Sequence, residues 1–414
     1  MKLKTCLILF LLIAGGSASA DTLFINDATV HTMGIRAVMQ DADVLIRDGK
    51  IQNLGVDLEA PADATVIEAE GRPLTPGMFA GLPSHGLVEI SMVESSADGE
   101  LGGEDMRPEF DVTPAYNPFS TTIPVTRIEG LTWALLGAGQ KGSIIGGQGR
   151  AVSFDGGYGS FMGDKALFIG IGAGASGKSD GSRAAQWMLL EQALAEAGSE
   201  MQWSPAPLLT PAGRTALKSC VDGGTVIFST HRASDILQVL SFAERHGMNA
   251  VIEGGAEAWK VADQLAEAGV PVLLDALSNL PSNFDQLGAR LDNAALLHEA
   301  GVTVAFAGAG THNARKQRQA AGNAVSNGLP WDAALAALTA APAAIFGLPD
   351  GFGVIEPGSP ADLVLWSGDP LEVTTAADQV VIGGKAIKMV SRQTLLRDRY
   401  LPQTTELPRA FIKP

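Results

Sequence analysis

From residue 225 to residue 306 the chain alternates between short apolar runs and longer segments whose apolar residues recur at helical spacing. Thr225-Val226-Ile227-Phe228-Ser229-Thr230 is one such run, and Ile236, Leu237, Val239, Leu240, Phe242 and Ala243 follow on one face of a segment ending at His246. The same pattern predicts strands over 249–253, 270–274 and 302–306. It predicts helices over 256–268 and 292–300 that stop at Gly269 and Gly301, where glycine takes the left-handed turn at no steric cost. Strand and helix in regular succession belong to a parallel sheet. This half of the chain therefore predicts a TIM-like (β/α)8 barrel, with its chemistry at the C-terminal ends of the strands.

The two ends of the chain follow the two-residue period of half-buried strands instead. Residues 22–25, 42–46 and 50–54 are separated by Asn26-Asp27 and Asp48-Gly49 turns, and 362–366 and 379–382 are followed by Gly383-Gly384. The expectation is an α/β protein in which 21–75 and 346–414 build one composite β-sandwich around a barrel of residues 76–345. Residues 95–160 are rich in Gly, Pro, Ser and Thr with weak periodicity, which predicts long loops over the barrel mouth with a few strands among them.

Residues 1–20 stand apart. Lys2 and Lys4, an apolar run from Leu7 to Ala14, and Ala18-Ser19-Ala20 read as a cleavable signal peptide, too short in its apolar part to remain across a bilayer of about 30 Å. The expected location is periplasmic or secreted. Cleavage leaves 29 − 2 = 27 basic residues against 45 acidic ones, a net charge of −18, and leaves Cys220 with no partner for an internal disulfide. With no cluster of Lys and Arg, the acidic chain is expected to bind no nucleic acid and to insert in no membrane. The expected partner is a small-molecule substrate or ligand; self-association is left open. At 46% hydrophobic and 18% charged residues, the composition supports a sizeable core rather than a disordered chain.

Several motifs occur in a recognisable order. They are Asp48-Gly49-Lys50-Ile51, Leu74-Thr75-Pro76-Gly77-Met78-Phe79, Gly146-Gly147-Gln148-Gly149, His231-Arg232-Ala233-Ser234-Asp235-Ile236 and Thr311-His312-Asn313-Ala314-Arg315. The last is Gly353-Val354-Ile355-Glu356-Pro357-Gly358-Ser359-Pro360-Ala361-Asp362-Leu363 with Gly368-Asp369-Pro370-Leu371. In these the chain resembles an exported, imidazolonepropionase-like member of the amidohydrolase superfamily. The resemblance implies a metal-bearing barrel, a divalent ion such as zinc, and hydrolysis of C–N bonds in cyclic amides, imides or small peptides.

The resemblance also implies a ligand pattern: His-x-His after the Pro-Gly of strand one, Lys or Glu on strand four, His after strands five and six, Asp after strand eight. Here those positions hold Leu82 and Ser84, a run from Ala166 to Gly170 without Lys, His231 (or Ser229 in the register two residues earlier), Gly254, and Ala309 or Gly310. Catalytic zinc needs about three protein ligands plus the water whose pKa it lowers. The expectation is therefore no metal cofactor, despite the family's zinc. A rebuilt site would have to draw on His85, His231 and His312 with Glu89 or Asp275. If strand one continued to residue 85, alternation would turn His85 away from the pocket.

The candidate catalytic residues are His231 and Glu89, the latter on the apolar run Leu87-Val88-Glu89-Ile90. Arg232, His312, Asn313 and His85 are candidates for substrate binding. Each also has a bland reading: a His held by backbone carbonyls at a strand end, a strand-end Glu in solvent, and Arg315 paired with a carboxylate at a helix start. Gly146-Gly147-Gln148-Gly149 lacks the residues of a phosphate loop and reads as a turn, and Ser160, Ser182 and Ser219 lack a nucleophile-elbow context. Asp362 and Asp369 read as turn and strand-edge residues of the β domain. Two functions stand: a hydrolase of C–N bonds by descent with a degraded metal site, or a catalytically silent periplasmic relative that binds a small molecule or partner through the barrel pocket. Hydrolysis without a metal, with Glu89 or His231 as general base, is weaker, because an amide also needs electrophilic activation.

Overall fold

The structure, a computed structural model, describes residues 22–175, 177–198, 207–278, 280–308 and 310–401. The expected signal peptide and Ala309 lie outside the described residues.

The N-terminal segment contributes β1 (Leu23–His31), β2 (Val38–Arg47), β3 (Lys50–Val56), β4 (Thr65–Glu68) and β5 (Pro73–Pro76). Asp48 and Gly49, at φ 53° and 78°, join β2 to β3 through the two-residue turn whose twist matches the flanking strands. β1 pairs antiparallel with β2, and parallel with β4 along 23–26 and with β5 at 29–30, so the sheet branches there.

The barrel sheet runs through β6 (Met78–Phe79), β7 (Leu131–Leu135), β8 (Ile145–Ser153), β9 (Phe161–Gly170), β10 (Thr225–Thr230), β11 (Asn249–Gly254), β12 (Val272–Leu274) and β13 (Val304–Phe306), each hydrogen-bonded to the next. These are barrel strands one to eight. Interleaved with them are α1 (Thr122–Arg127), α2 (Arg183–Gly198), α3 (Pro211–Val221), α4 (Ala233–His246), α5 (Ala262–Ala268) and α6 (Asn293–Glu299). α7 (Gln317–Ser326), α8 (Trp331–Ala336) and α9 (Ala340–Ile345) follow.

Strands four to eight are parallel, as the periodicity predicts. β8 is not: it runs antiparallel to both β7 and β9, and the Gly146–Gly149 stretch expected to be a turn lies inside it. Glycine is required there because a Cβ on Gly149 would fall on the Leu136 carbonyl of the neighbouring segment. Strands one and eight approach without a shared ladder. Their exposed edges are capped by the chain after α8: Phe79 N–H donates to the Leu338 carbonyl at 2.7 Å, and Phe306 N–H to that of Ala337 at 3.3 Å. The barrel sheet is thus nearly closed.

Beyond the barrel, β14 (Leu363–Trp366), β15 (Ala377–Ile382) and β16 (Lys385–Ala386) return to the first sheet, where β14 pairs with β5. One sheet therefore joins both ends of the chain, with a core of its own that includes Ile25, Val30, Val44, Ile46, Leu74 and Leu363. The Gly383-Gly384 turn packs against the Asp48-Gly49 turn; a Cβ on Gly384 would lie 2.6 Å from Gly49 Cα. α10 (Arg392–Tyr400) follows β16 and contacts α1 of the barrel.

Asp362 and Asp369 make the turn contacts expected of them. Asp369 accepts the Leu371 amide, and Asp362 Oδ1 accepts the Gly383 amide at 2.7 Å. Burial, with Asp155 nearby, pushes the Asp362 carboxyl up to about 7. Its folded-state pKa is raised, so its contribution is intact below the unfolded value and is lost as pH rises through about 7. Asp362→Asn keeps the acceptor for Gly383 and removes the charge. It is expected to raise the unfolding free energy at pH 8 by an amount on the order of a few kcal/mol, and the melting temperature with it, and to flatten the pH dependence between 4 and 7. Parallel melting curves of the two proteins across that range would show it, and unchanged slopes would refute it.

Candidate functional site

The C-terminal ends of strands five to eight enclose a cavity of about 150 Å³. His231 follows β10 directly, Glu253 and Gly254 end β11, Asp275 follows β12, and Gly308 lies two residues beyond β13; all of them line the cavity, together with Gln286. The strand ends interlock through the backbone, since the His231 carbonyl accepts the Glu257 amide and the Thr230 carbonyl accepts that of Gly255.

The tautomer of His231 follows from its neighbour. The Ser282 hydroxyl and amide both donate to Gln286 Oε1, at 2.5 and 3.4 Å, which leaves the Gln286 NH2 facing His231 Nε2 at 3.0 Å. Nε2 therefore accepts, and the neutral ring carries its proton on Nδ1. That Nδ1 is buried and has no hydrogen-bond partner. A buried donor left unmade is costly, and this one is packed against the Gly254 backbone.

Three strand ends carry glycine, and at each a neighbouring side chain takes the space a Cβ would need. A Cβ on Gly254, end of strand six, would lie 2.5 Å from His231 Cε1 and 2.8 Å from Nδ1. One on Gly308, past strand eight, would fall on the Asp275 carboxylate, and one on Gly170, end of strand four, on the Gln140 amide. At strand one, Leu82 packs on the core, and the Ser84 amide donates to Thr311 Oγ1 at 2.8 Å. Among the described residues no three His, Cys, Asp or Glu side chains stand close enough to hold an ion. The residues at this mouth do not fit a catalytic metal of the kind the fold implies.

The other candidates are dispersed. Glu89 is exposed on a loop and lines no part of this cavity; strand one ends at Phe79, so the apolar run around Glu89 is not a strand. Arg232 is exposed at the start of α4, outside the cavity wall. His85 lies in a turn rather than on a strand and is fully buried. Its Nε2 meets Thr126 Oγ1 at 2.6 Å, its ring packs 4.9 Å from Phe154, and burial lowers its pKa to about 3. His312 is exposed and lines a separate cavity with Thr311 and Arg392. Asn313 is half-buried beside it, and Arg315 donates to the His312 carbonyl rather than to a carboxylate. His85, His231 and His312 are thus not assembled into one site.

Lys165 lies on strand four, just before the run in which a bridging lysine was sought. It is exposed and pairs with Asp111 at 2.8 Å, well before the strand's mouth end. Sequence reasoning passed over Glu253 and Gln286. For Glu253 a signal existed: a carboxylate one residue before the glycine that ends a predicted barrel strand. Gln286 had none, because it reaches His231 across 55 positions.

Residues 298–388 match the Amidohydrolase family profile. A stretch of 59 residues is 49% identical to the amidohydrolase tasK of Hapsidospora irregularis, covering 14% of this chain and only 6% of that protein's length. The fold is similar to that of an amidohydrolase from Thermotoga maritima MSB8, with a TM-score of 0.76 at 25% identity over 88% of this chain and 99% of the other. A triazine hydrolase from Arthobacter aurescens superposes with a TM-score of 0.51 at 15% identity, covering 91% and 98% of the two chains, and shows the shared fold. The chain is amidohydrolase-like in its fold and in its C-terminal sequence.

Proposed function

We propose that this protein descends from amidohydrolases acting on C–N bonds of small or cyclic amides, and that it uses the barrel mouth to bind a small molecule without metal-activated hydrolysis. The filling of the Gly254 and Gly308 vacancies by His231 and Asp275 carries this reading. At two strand ends of the mouth, this chain has packed its own polar side chains against glycine. A metal in such a site would supply a hydroxide nucleophile at neutral pH. Without it, the mouth offers the His231 ring, held by Gln286, and the polar side chains of Glu253 and Asp275, and that is the chemistry of binding. The reading includes export after removal of residues 1–20, so the mature chain would begin at Asp21.

The test is metal content and turnover of the mature protein purified without chelator. Well under one equivalent of zinc, iron or manganese is expected, with no hydrolysis of cyclic amides, imides or dipeptides above a chelated control. Glu89→Ala and Arg232→Ala, exposed residues that do not line the cavity, should leave metal content and ligand binding unchanged. Stoichiometric metal together with amidase activity, both lost in His231→Ala, would overturn the proposal.

A further inference from the structure

Where α1, the turn Thr311–Lys316 after strand eight and α10 meet, they line an open cavity of about 310 Å³ that shares no wall residue with the barrel mouth. Arg392 and His312 line it and no carboxylate does, in a chain with 45 acidic residues against 29 basic ones. Among the described residues neither the Arg392 guanidinium nor the His312 ring has a hydrogen-bond or ion-pair partner. Arg397, on the same helix but outside the wall, is paired with Asp398. The cavity therefore gathers positive charge that the protein itself does not neutralise.

Hydroxyl protons add to it. Thr311 Oγ1 accepts the Ser84 amide at 2.8 Å, which leaves its own proton to donate. Thr126, on α1 and 3% exposed, lines the cavity too, and its Oγ1 meets Nε2 of the neutral His85 ring at 2.6 Å. His85 Nδ1 is buried without a partner. A buried N–H with no acceptor costs more than a buried lone pair with no donor, so the ring carries its proton on Nε2 and Thr126 Oγ1 accepts it. The Thr126 proton is then free, with no other partner for the hydroxyl among the described residues. The Arg392 and Gln393 amides, first in α10, lie at the positive end of that helix. Cations and donors without a charged acceptor call for an oxyanion. Val125 and Leu396 complete the wall with apolar surface, which a bare inorganic ion would leave wet and a hydrocarbon tail would cover.

We infer that this cavity binds a small aliphatic carboxylate, its oxygens meeting Arg392, His312 and the threonine hydroxyls and its tail lying against Val125 and Leu396. The site goes beyond the reading of the barrel mouth and does not depend on it.

Isothermal titration of the mature protein at low ionic strength with butyrate, butyramide, butylammonium and inorganic phosphate tests it. Butyrate is expected to bind one-to-one and at least about tenfold more tightly than any other probe. Arg392→Gln should weaken butyrate about tenfold and His312→Ala severalfold; both side chains are exposed and unpaired, so the fold does not need them. Arg397→Gln removes the same charge from the same helix away from the wall, and should leave the affinity within about twofold. Butyramide, butylammonium or phosphate binding as tightly as butyrate overturns the carboxylate class, and absence of binding overturns the site. Equal losses in Arg392→Gln and Arg397→Gln, or no loss in either Arg392→Gln or His312→Ala, would place the anion on bulk charge or another surface and overturn it as well. Metal content and hydrolysis report on the barrel mouth alone, so failure of either proposal leaves the other standing.

Discussion

Placing ligand-type side chains at the barrel mouth by Gly254→His or Gly308→Asp is expected to destabilise the protein and to recruit no zinc. Gly254 sits at φ 96°, a conformation L side chains rarely adopt, and its new Cβ would stand 2.5 Å from the His231 ring. Backbone strain of about 1 to 3 kcal/mol and overpacking of a similar size act together, so a loss of about 2 to 5 kcal/mol is expected. Gly308→Asp meets the Asp275 carboxylate and adds like-charge repulsion. Adding His231→Ala to Gly254→His should recover the steric part of the loss and leave the strain. Denaturant midpoints and elemental analysis of each variant decide the matter. A Gly254→His protein as stable as the wild type and holding one zinc would refute the account of a filled mouth.

Removing residues 351–414 is expected to abolish soluble folding altogether. The deletion takes β14 from β5, whose ladder pairs Leu363 with Pro76, Val364 with Thr75 and Leu365 with Leu74. It also removes Trp366, fully buried, whose indole N–H donates to Thr75 Oγ1 at 2.9 Å and whose ring lies 4.7 Å beneath the Arg318 guanidinium. Arg318, on α7, further donates to the carbonyls of Pro370 and Thr375, so the barrel loses polar contacts together with the sheet. Loss of one buried Trp side chain alone is worth about 3 to 5 kcal/mol, against a total stability of about 5 to 15 kcal/mol for a typical domain. The uncovered β5 edge would add an aggregation site. Soluble expression of residues 21–350 with a wild-type melting temperature would show that the two ends do not depend on each other.

What could be read along the chain was whatever local chemistry settles. The apolar period of α4 between two β-branched strand runs places both strands and the helix to within a residue or two. The Asp48-Gly49 and Gly383-Gly384 turns were legible because two successive positive φ angles select such residues in a two-residue hairpin. The absence of His at 82, 84 and 254 was equally plain. β8 was not legible: its run of glycines mimics a turn, and its direction depends on β7 and β9, which share no local signal with it. Glu89 misled because an apolar neighbourhood in sequence suggests a strand, whereas the chain after Phe79 is already loop.

The sequence by itself determined the βα succession of the barrel's second half, the two β flanks, the acidic charge and which side chains stand at 82, 84 and 254. Tertiary structure alone decided what surrounds the barrel mouth. Gln286 fixes the proton of His231 from 55 residues away, Asp275 occupies the vacancy of a glycine 33 positions later (308 − 275), and two hairpin turns from opposite ends of the chain meet at a pair of glycines. These are contacts between strand ends that only closure of the barrel and of the composite sheet brings within reach. Periodicity is enforced residue by residue along the chain, and such contacts leave no trace in it.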